Sequence, residues 1–310
     1  MTDASTTILR FTKPQSRVRN TMKLLLLLPL SIVSLTAPVF AASPEGLWEG
    51  LVFYAPFDGG PDAEISAGDG RIYTAPPSRD PTKSKPGLEA EEVTIASGKG
   101  RYGDALHFLK KTQNMVFFYG AKNTGYRTKD WSGTISMWLS IDPADLKQEF
   151  SDPVQITDKK YNNAALWVDF TKDDTPPHFR LGIFADTDCW NPEKRKQDEI
   201  PEAEQPIVRV KQPPFGRDRW THVVMTFSGF NTDGTGGAAK LYINGDLQGT
   251  VKDRRQVFTW DLSKATIRVG LGYVGLIDEL SIFDRALNAD EVQTLYKLPA
   301  GLGGLSQAGK

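Results

Sequence analysis

A single cysteine in 310 residues, Cys189, excludes a disulfide framework, and it lies far from any leader cleavage point at which a lipid anchor would attach. Three histidines, His107, His178 and His222, are too far apart for a zinc motif, and no serine sits in a G-x-S-x-G elbow. Neither zinc chemistry nor Ser-His-Asp catalysis therefore has a sequence signal. Charge of one sign is missing too: 37 Lys plus Arg face 38 Asp plus Glu, for a net charge of −1 and no basic stripe. That balance excludes nucleic acid as an expected partner and gives no support for a membrane surface.

One long apolar run is present. LLLLLPLSIVSLTAPV follows Arg17, Arg19 and Lys23 and ends at Val39-Phe40-Ala41, the basic, apolar and small-residue order of a secretory signal peptide. The order predicts a signal peptide at 22–41, opened by Met22-Lys23, and makes 1–21 an N-terminal extension from a mis-annotated start. The expectation is export, to a periplasmic or extracellular location. Pro29 and Pro38 interrupt the run and nothing comparable follows, so no membrane span is expected in the mature chain.

Beyond the leader, short β-like runs recur with turn signals between them, and helical periodicity is confined to the C-terminal end. Such a pattern indicates a sandwich or barrel of one domain, a class that runs to roughly 200–250 residues. Asn244-Gly245, between the alternating Leu241, Ile243 and Leu247, has the positive-φ tolerance of a type I′ hairpin turn. At the end, Asn288 and Glu291 form a capping box, with Val292, Leu295 and Tyr296 as one apolar stripe. In the preceding strand the even positions Val274, Leu276, Leu280 and Ile282 share a face, which places Asp278 on an apolar inward side. A carboxylate there is either a site or a structural anchor. Residues 298–310 read as a flexible Gly-rich tail.

Six segments in succession carry a resemblance: VFYAPFDG at 52–59, GRYGDALHF at 100–108, SGTISMWLSI at 132–141, RWTHVVMTFSG at 219–229, LYINGDLQGT at 241–250 and GLIDELSIFDRALNADEVQTLY at 275–296. Their order and spacing resemble the LamG-like jelly-roll domains of the concanavalin A-like lectin/glucanase superfamily, over residues 47–297. The resemblance implies an all-β, two-sheet antiparallel jelly-roll sandwich with one short C-terminal helix, closed by pairing of its first and last strands. It also implies a structural calcium between the aspartates of FDG and IDE, here Asp58 and Asp278. The departure is the segment from Asp186 to Arg219, which contains Cys189, Trp190 and a charged run. A stretch this long is either a disordered excursion or a flap over a ligand.

The strand periodicity turns Ile135, Met137, Leu139 and Ile141 inward, with Leu166, Val168, Phe170, Phe179, Leu181, Ile183, Val223, Met225 and Phe227. Left outside are Trp138, Trp167, Asp169, Arg180 and His222. If their strands are neighbours, these residues share one outer surface, with Trp190 on the adjoining flap. Aromatic rings flanked by charged hydrogen-bonding groups suit a sugar, whose C–H patches stack while its hydroxyls need directional partners. The competing reading is that the 186–219 loop covers the same aromatics as a second small core. No E-x-D-x-x-E pattern supplies a hydrolytic carboxylate pair. The sequence thus predicts a non-catalytic exported module that recognises a glycan or cell-surface component. The alternatives are a divergent polysaccharide hydrolase or lyase, and an adhesive protein-binding domain.

Overall fold

Alternating apolar and polar residues set up two antiparallel sheets whose inner faces meet. The computed structural model describes residues 43–146, 149–196 and 199–305; the expected leader at 22–41 and extension at 1–21 lie outside them. The first sheet is nine-stranded among these residues and runs Asp246–Arg254, Gly237–Ile243, Gly216–Phe230, Trp131–Ile141, Gly275–Phe283, Leu51–Ala55, Ile65–Ser66. Ala105–Phe108 and Val93–Ala96 join it alongside Gly275–Phe283. The second sheet is eight-stranded, in the order Ile207–Val210, Phe179–Phe184, Asn163–Phe170, Ser151–Lys160, Thr266–Leu271, Met115–Tyr119, Tyr73–Ala75, Lys85–Pro86.

The inward residues follow the sequence pattern closely. Ile135, Met137 and Leu139 of the first sheet share one core with Leu166, Val168, Leu181 and Ile156 of the second. The first and last strands pair, Tyr54 opposite Ser281 and Ala55 opposite Leu280, which closes the sandwich. Asn244 and Gly245 take φ of 52° and 85°, as a type I′ turn requires, and join Ile243 to its partner Asp246. Asn288 caps the helix Ala289–Lys297 in the expected reciprocal box with Glu291.

Three expectations are corrected. Asp278 does not face inward. A β-bulge between Asp278 and Ser281, with Glu279 at φ 54°, shifts the side-chain parity: Ile277, Leu280 and Ile282 enter the core, while Asp278 lies opposite outward-facing Trp138. The 186–219 segment is largely built in: it makes one helical turn, Thr187–Trp190, then adds the strand Ile207–Val210 to the edge of the second sheet. Of the expected tail, Leu298 and Leu302 are buried in a satellite cluster with Tyr54 and Leu295, and 306–310 lie outside the described residues. Among the described residues no helix is long and apolar enough to cross a membrane.

Candidate functional site

Strand order decides which outward residues can meet. Trp138 and His222 lie opposite each other in the first sheet. Trp167, Asp169 and Arg180 lie on adjacent strands of the second. The five residues therefore occupy two opposite outer faces and not the single surface expected from the sequence. Alternation identified their outward direction correctly; it carries no information on which sheet a strand joins.

On the first face the aromatics are enclosed. The His222 ring meets Trp138 (centroids 4.7 Å apart) and Tyr296 of the C-terminal helix (5.9 Å), which also stack on each other at 5.7 Å, and the Arg101 guanidinium covers the Trp138 ring at 4.8 Å. His222 Nε2 lies 2.8 Å from Ser136 Oγ, but its Nδ1 is buried without a partner, so no third group orients the ring. Burial, and secondarily Arg101, push its pKa down to about 3, which leaves a neutral imidazole unable to take up a proton near neutral pH. These residues hold the helix to the sheet.

The second face is open. A groove of about 1060 Å³ crosses it, lined by Trp167, Asp169 and Arg180 and by residues the sequence reading missed, chiefly Phe150, Asp152, Gln155 and Arg268. Its floor is a cross-strand row in which Trp167 opposes Gln155 and Gln155 opposes Arg268. The signal for the last two was present: Val154 and Ile156 flank Gln155 as Ile267 and Val269 flank Arg268, and all four enter the core. Trp167 lies flat because its partner across the ladder is Gly182, where a Cβ would come within 2.2 Å of the indole. The ring stacks on Phe184 with centroids 5.6 Å apart and donates from Nε1 to Tyr161 O at 2.7 Å. Trp190 meets the far side of Phe184 edge-on, at 4.8 Å, and donates to Asn162 O. It belongs to the small core beneath the flap rather than to the groove lining.

Arg180 and Asp169 form a forked pair, Nε to Oδ1 at 2.8 Å and a second bond from Nη2 to Oδ2. The same guanidinium lies 5.3 Å from the Trp167 ring centroid and 5.4 Å from that of Phe150. Gln155 links the rest, accepting from Arg268 Nη1 at 2.7 Å and donating to Asp152 Oδ2 at 2.6 Å. Burial, then the nearby Asp169, pushes Asp152 up to about 8, so it is largely protonated at neutral pH. Asp169 commits both oxygens to Arg180. Burial pushes Asp169 up as well, against the Arg180 pairing that favours its charge; neither carboxylate is a free base, and the arrangement presents hydrogen-bonding groups rather than a reacting pair.

At the sheet corner, Asp58 and Asp278 approach one turn from two sides. Asp58 Oδ1 accepts from Asp104 N at 2.7 Å, and Asp278 accepts from Tyr102 N at 3.1 Å and Glu279 N at 2.8 Å. Their hard oxygens suit calcium, and no Lys or Arg ion-pairs with either among the described residues. Calcium takes six to eight oxygens, however. Among the described residues no three His, Cys, Asp or Glu side chains are grouped as metal ligands. A calcium shell here would need peptide carbonyls or water to complete it.

Solved structures with this fold include the receptor binding domain of botulinum neurotoxin D, at TM-score 0.51 and 13% identity, aligned over 80% of this chain and 52% of that one. The chain thus spans about half the length of that domain. Domain 4 of AbnA, a GH43 extracellular arabinanase from Geobacillus stearothermophilus, in complex with arabinotriose, aligns at TM-score 0.47 and 18% identity, over 80% of this chain and 98% of that one. At such identities the likeness is one of fold. No curated protein matches the sequence. A laminin G family model matches residues 121–293, more than half of the chain, and with the two-sheet jelly roll in place the protein belongs to the Concanavalin A-like lectin/glucanases superfamily.

Proposed function

We propose that the protein is an exported binding module that holds a glycan, or a comparable polyhydroxylated surface component, in the groove on its second sheet without turning it over. One observation carries this reading: the groove sets an exposed ring, Phe150 at 49% exposure, beside the Trp167-backed Arg180–Asp169 fork and the Gln155–Arg268 pair. Rings accept the C–H face of a sugar; fixed donors and acceptors accept its hydroxyls. At ~4.8 Å per strand, the row from Trp167 to Arg268 offers roughly 10 Å of floor, enough for about two sugar rings. Export rests on the leader-like segment 22–41.

Affinity electrophoresis of the mature protein through gels containing soluble polysaccharides tests the reading. Phe150→Ala should weaken binding about three- to tenfold, the scale of one aromatic contact, and leave the melting temperature unchanged because the ring is half exposed. Equal retardation of variant and wild type would remove the groove from the site. Release of reducing ends or unsaturated products would favour the hydrolase or lyase alternative, and capture of a protein partner without glycan retention would favour the adhesive one.

Calcium at Asp58 and Asp278 is a separate proposal, supported by a buried and an exposed carboxylate at one corner, neither with a cationic partner among the described residues. Added calcium should raise the melting temperature and EDTA should reverse the rise, since a ligand bound only by the folded state stabilises by mass action. A melting temperature indifferent to both would refute it.

A further inference from the structure

Cations outnumber carboxylates around the groove, four arginines and three lysines against Glu149, Asp152 and Asp169. Most of these cations have a counter-charge: Arg180 has Asp169, Arg209 has Asp174 and Glu202, Lys111 has Glu149, and Lys159 has Asp186. Arg268 differs. Its guanidinium spends three N–H bonds on neutral acceptors, Thr266 Oγ1 at 3.1 Å, Gln155 Oε1 at 2.7 Å and Lys159 O at 3.3 Å, and forms no ion pair among the described residues. A guanidinium has five N–H donors, so two remain.

The neighbour that influences Arg268 most is another cation. Burial and then Arg79 hold its pKa down to about 10, the mark of a charge short of compensation. Arg79 is exposed at the groove wall and likewise has no ion pair among the described residues. Asp152 offsets this only in part: its attraction for Arg268 ranks below the Arg79 repulsion, burial favours its protonated form, and its Oδ2 accepts from Gln155 rather than from Arg268. A partly buried guanidinium without a counter-ion is costly on its own. In an open groove, the anion that offsets the cost can belong to the ligand.

Resting on the glycan reading above, we infer that the groove selects acidic saccharides, with Arg268 and Arg79 together receiving a carboxylate or sulfate group while the rings and the Arg180–Asp169 fork hold the sugar. Guanidinium suits either anion, since it forms two parallel bonds to a planar or tetrahedral oxyanion. A uronic acid and a sulfate ester present the same chemistry here, and the probes distinguish them.

Two matched pairs of probes isolate the charge: polygalacturonate against its methyl ester, and dextran sulfate against dextran, each measured by affinity electrophoresis near 0.15 M salt, where diffuse surface attraction is screened. Wild-type protein should bind the acidic member of at least one pair at least tenfold more tightly than its neutral partner. Preference for polygalacturonate assigns a carboxylate, and preference for dextran sulfate assigns a sulfate ester. Arg268→Gln should abolish the preference. Arg79→Ala, at an exposed position where folding is not at stake, should reduce it about three- to tenfold, while Arg219→Gln, at an exposed position of a strand in the other sheet, should leave it intact. Equal binding of both members of each pair, still sensitive to Phe150→Ala, would overturn the inference and leave the glycan reading standing. An acidic preference untouched by the Arg268 and Arg79 variants would also overturn it. Binding to none of the four probes, or to any glycan in the wider gel series, would bring down both.

Discussion

Arg180→Met should lower the free energy of unfolding by about 3–5 kcal/mol, the range for removing one partner of a buried ion pair. The side chains of Arg180 and Asp169 are 12% and 6% exposed, unlike a surface pair such as Arg71–Asp69, where the arginine is 60% exposed and worth at most about 1 kcal/mol. Loss of the guanidinium leaves the buried Asp169 without its hydrogen-bonded counter-charge, and it removes the packing over Trp167 and Phe150. Asp169→Asn should cost less, because Asp152, already felt electrostatically by Arg180, can ionise and take over the pair. The double variant Asp169→Leu/Arg180→Met should recover much of the loss. Urea unfolding of wild type and the three variants measures these differences. A cost below about 1 kcal/mol for Arg180→Met would mean that the pair is solvated and that the groove floor is looser than described.

Stability should also fall as pH rises from about 4 to about 8 when calcium is withheld with EDTA. Burial is the main cause that pushes Asp278 up to about 8 and Glu279 up to about 7, from unfolded values near 4. The sign follows from proton counting. In this window the folded chain keeps protons that the unfolded chain has released, so each pH unit removes up to about 1.4 kcal/mol per group. The contribution is complete below the unfolded values and gone once pH passes the folded ones, a total of several kcal/mol. Asp278→Asn should flatten the part of the slope that extends toward pH 8, and Glu279→Gln the part below pH 7. Unfolding free energies at pH 5, 6, 7 and 8 test this; a flat profile in EDTA would show that water reaches the corner. With calcium bound the slope should shrink, because the ion favours the ionised carboxylates.

Much of this architecture was legible from local pattern. The two-residue periods of 135–141, 166–170, 179–183 and 223–227 put the correct residues in the core, and the Asn244-Gly245 turn and Asn288 box formed as read. What failed was non-local. Whether Trp138 and Trp167 share a sheet depends on how the chain crosses between layers after Ile141, and no spacing rule encodes that crossing. The reversal at Asp278 arose from a bulge centred on a glutamate at positive φ, a residue type that gives no warning of one. Arg268 and Gln155 were visible as polar residues between core positions but lacked the aromatic company that drew attention to Trp167. Their importance depends on what does not pair with them, and that is a property of the assembled groove.

Glu279 has a consequence for how the molecule is made. Its carboxylate accepts from the Tyr54 hydroxyl at 2.5 Å and from the Leu302 amide at 3.0 Å, joining residues 225 positions apart in the first case. The opening strand thus has only the two-residue strand Ile65–Ser66 beside it until its long partner, the closing strand, has been synthesised. Such distant pairings are slow to find because the loop between them must close first. A growing polypeptide therefore gains little of this sandwich by degrees: closure waits for Gly275–Phe283, and a chain cut before Leu302 would lose one of the two donors that hold Glu279.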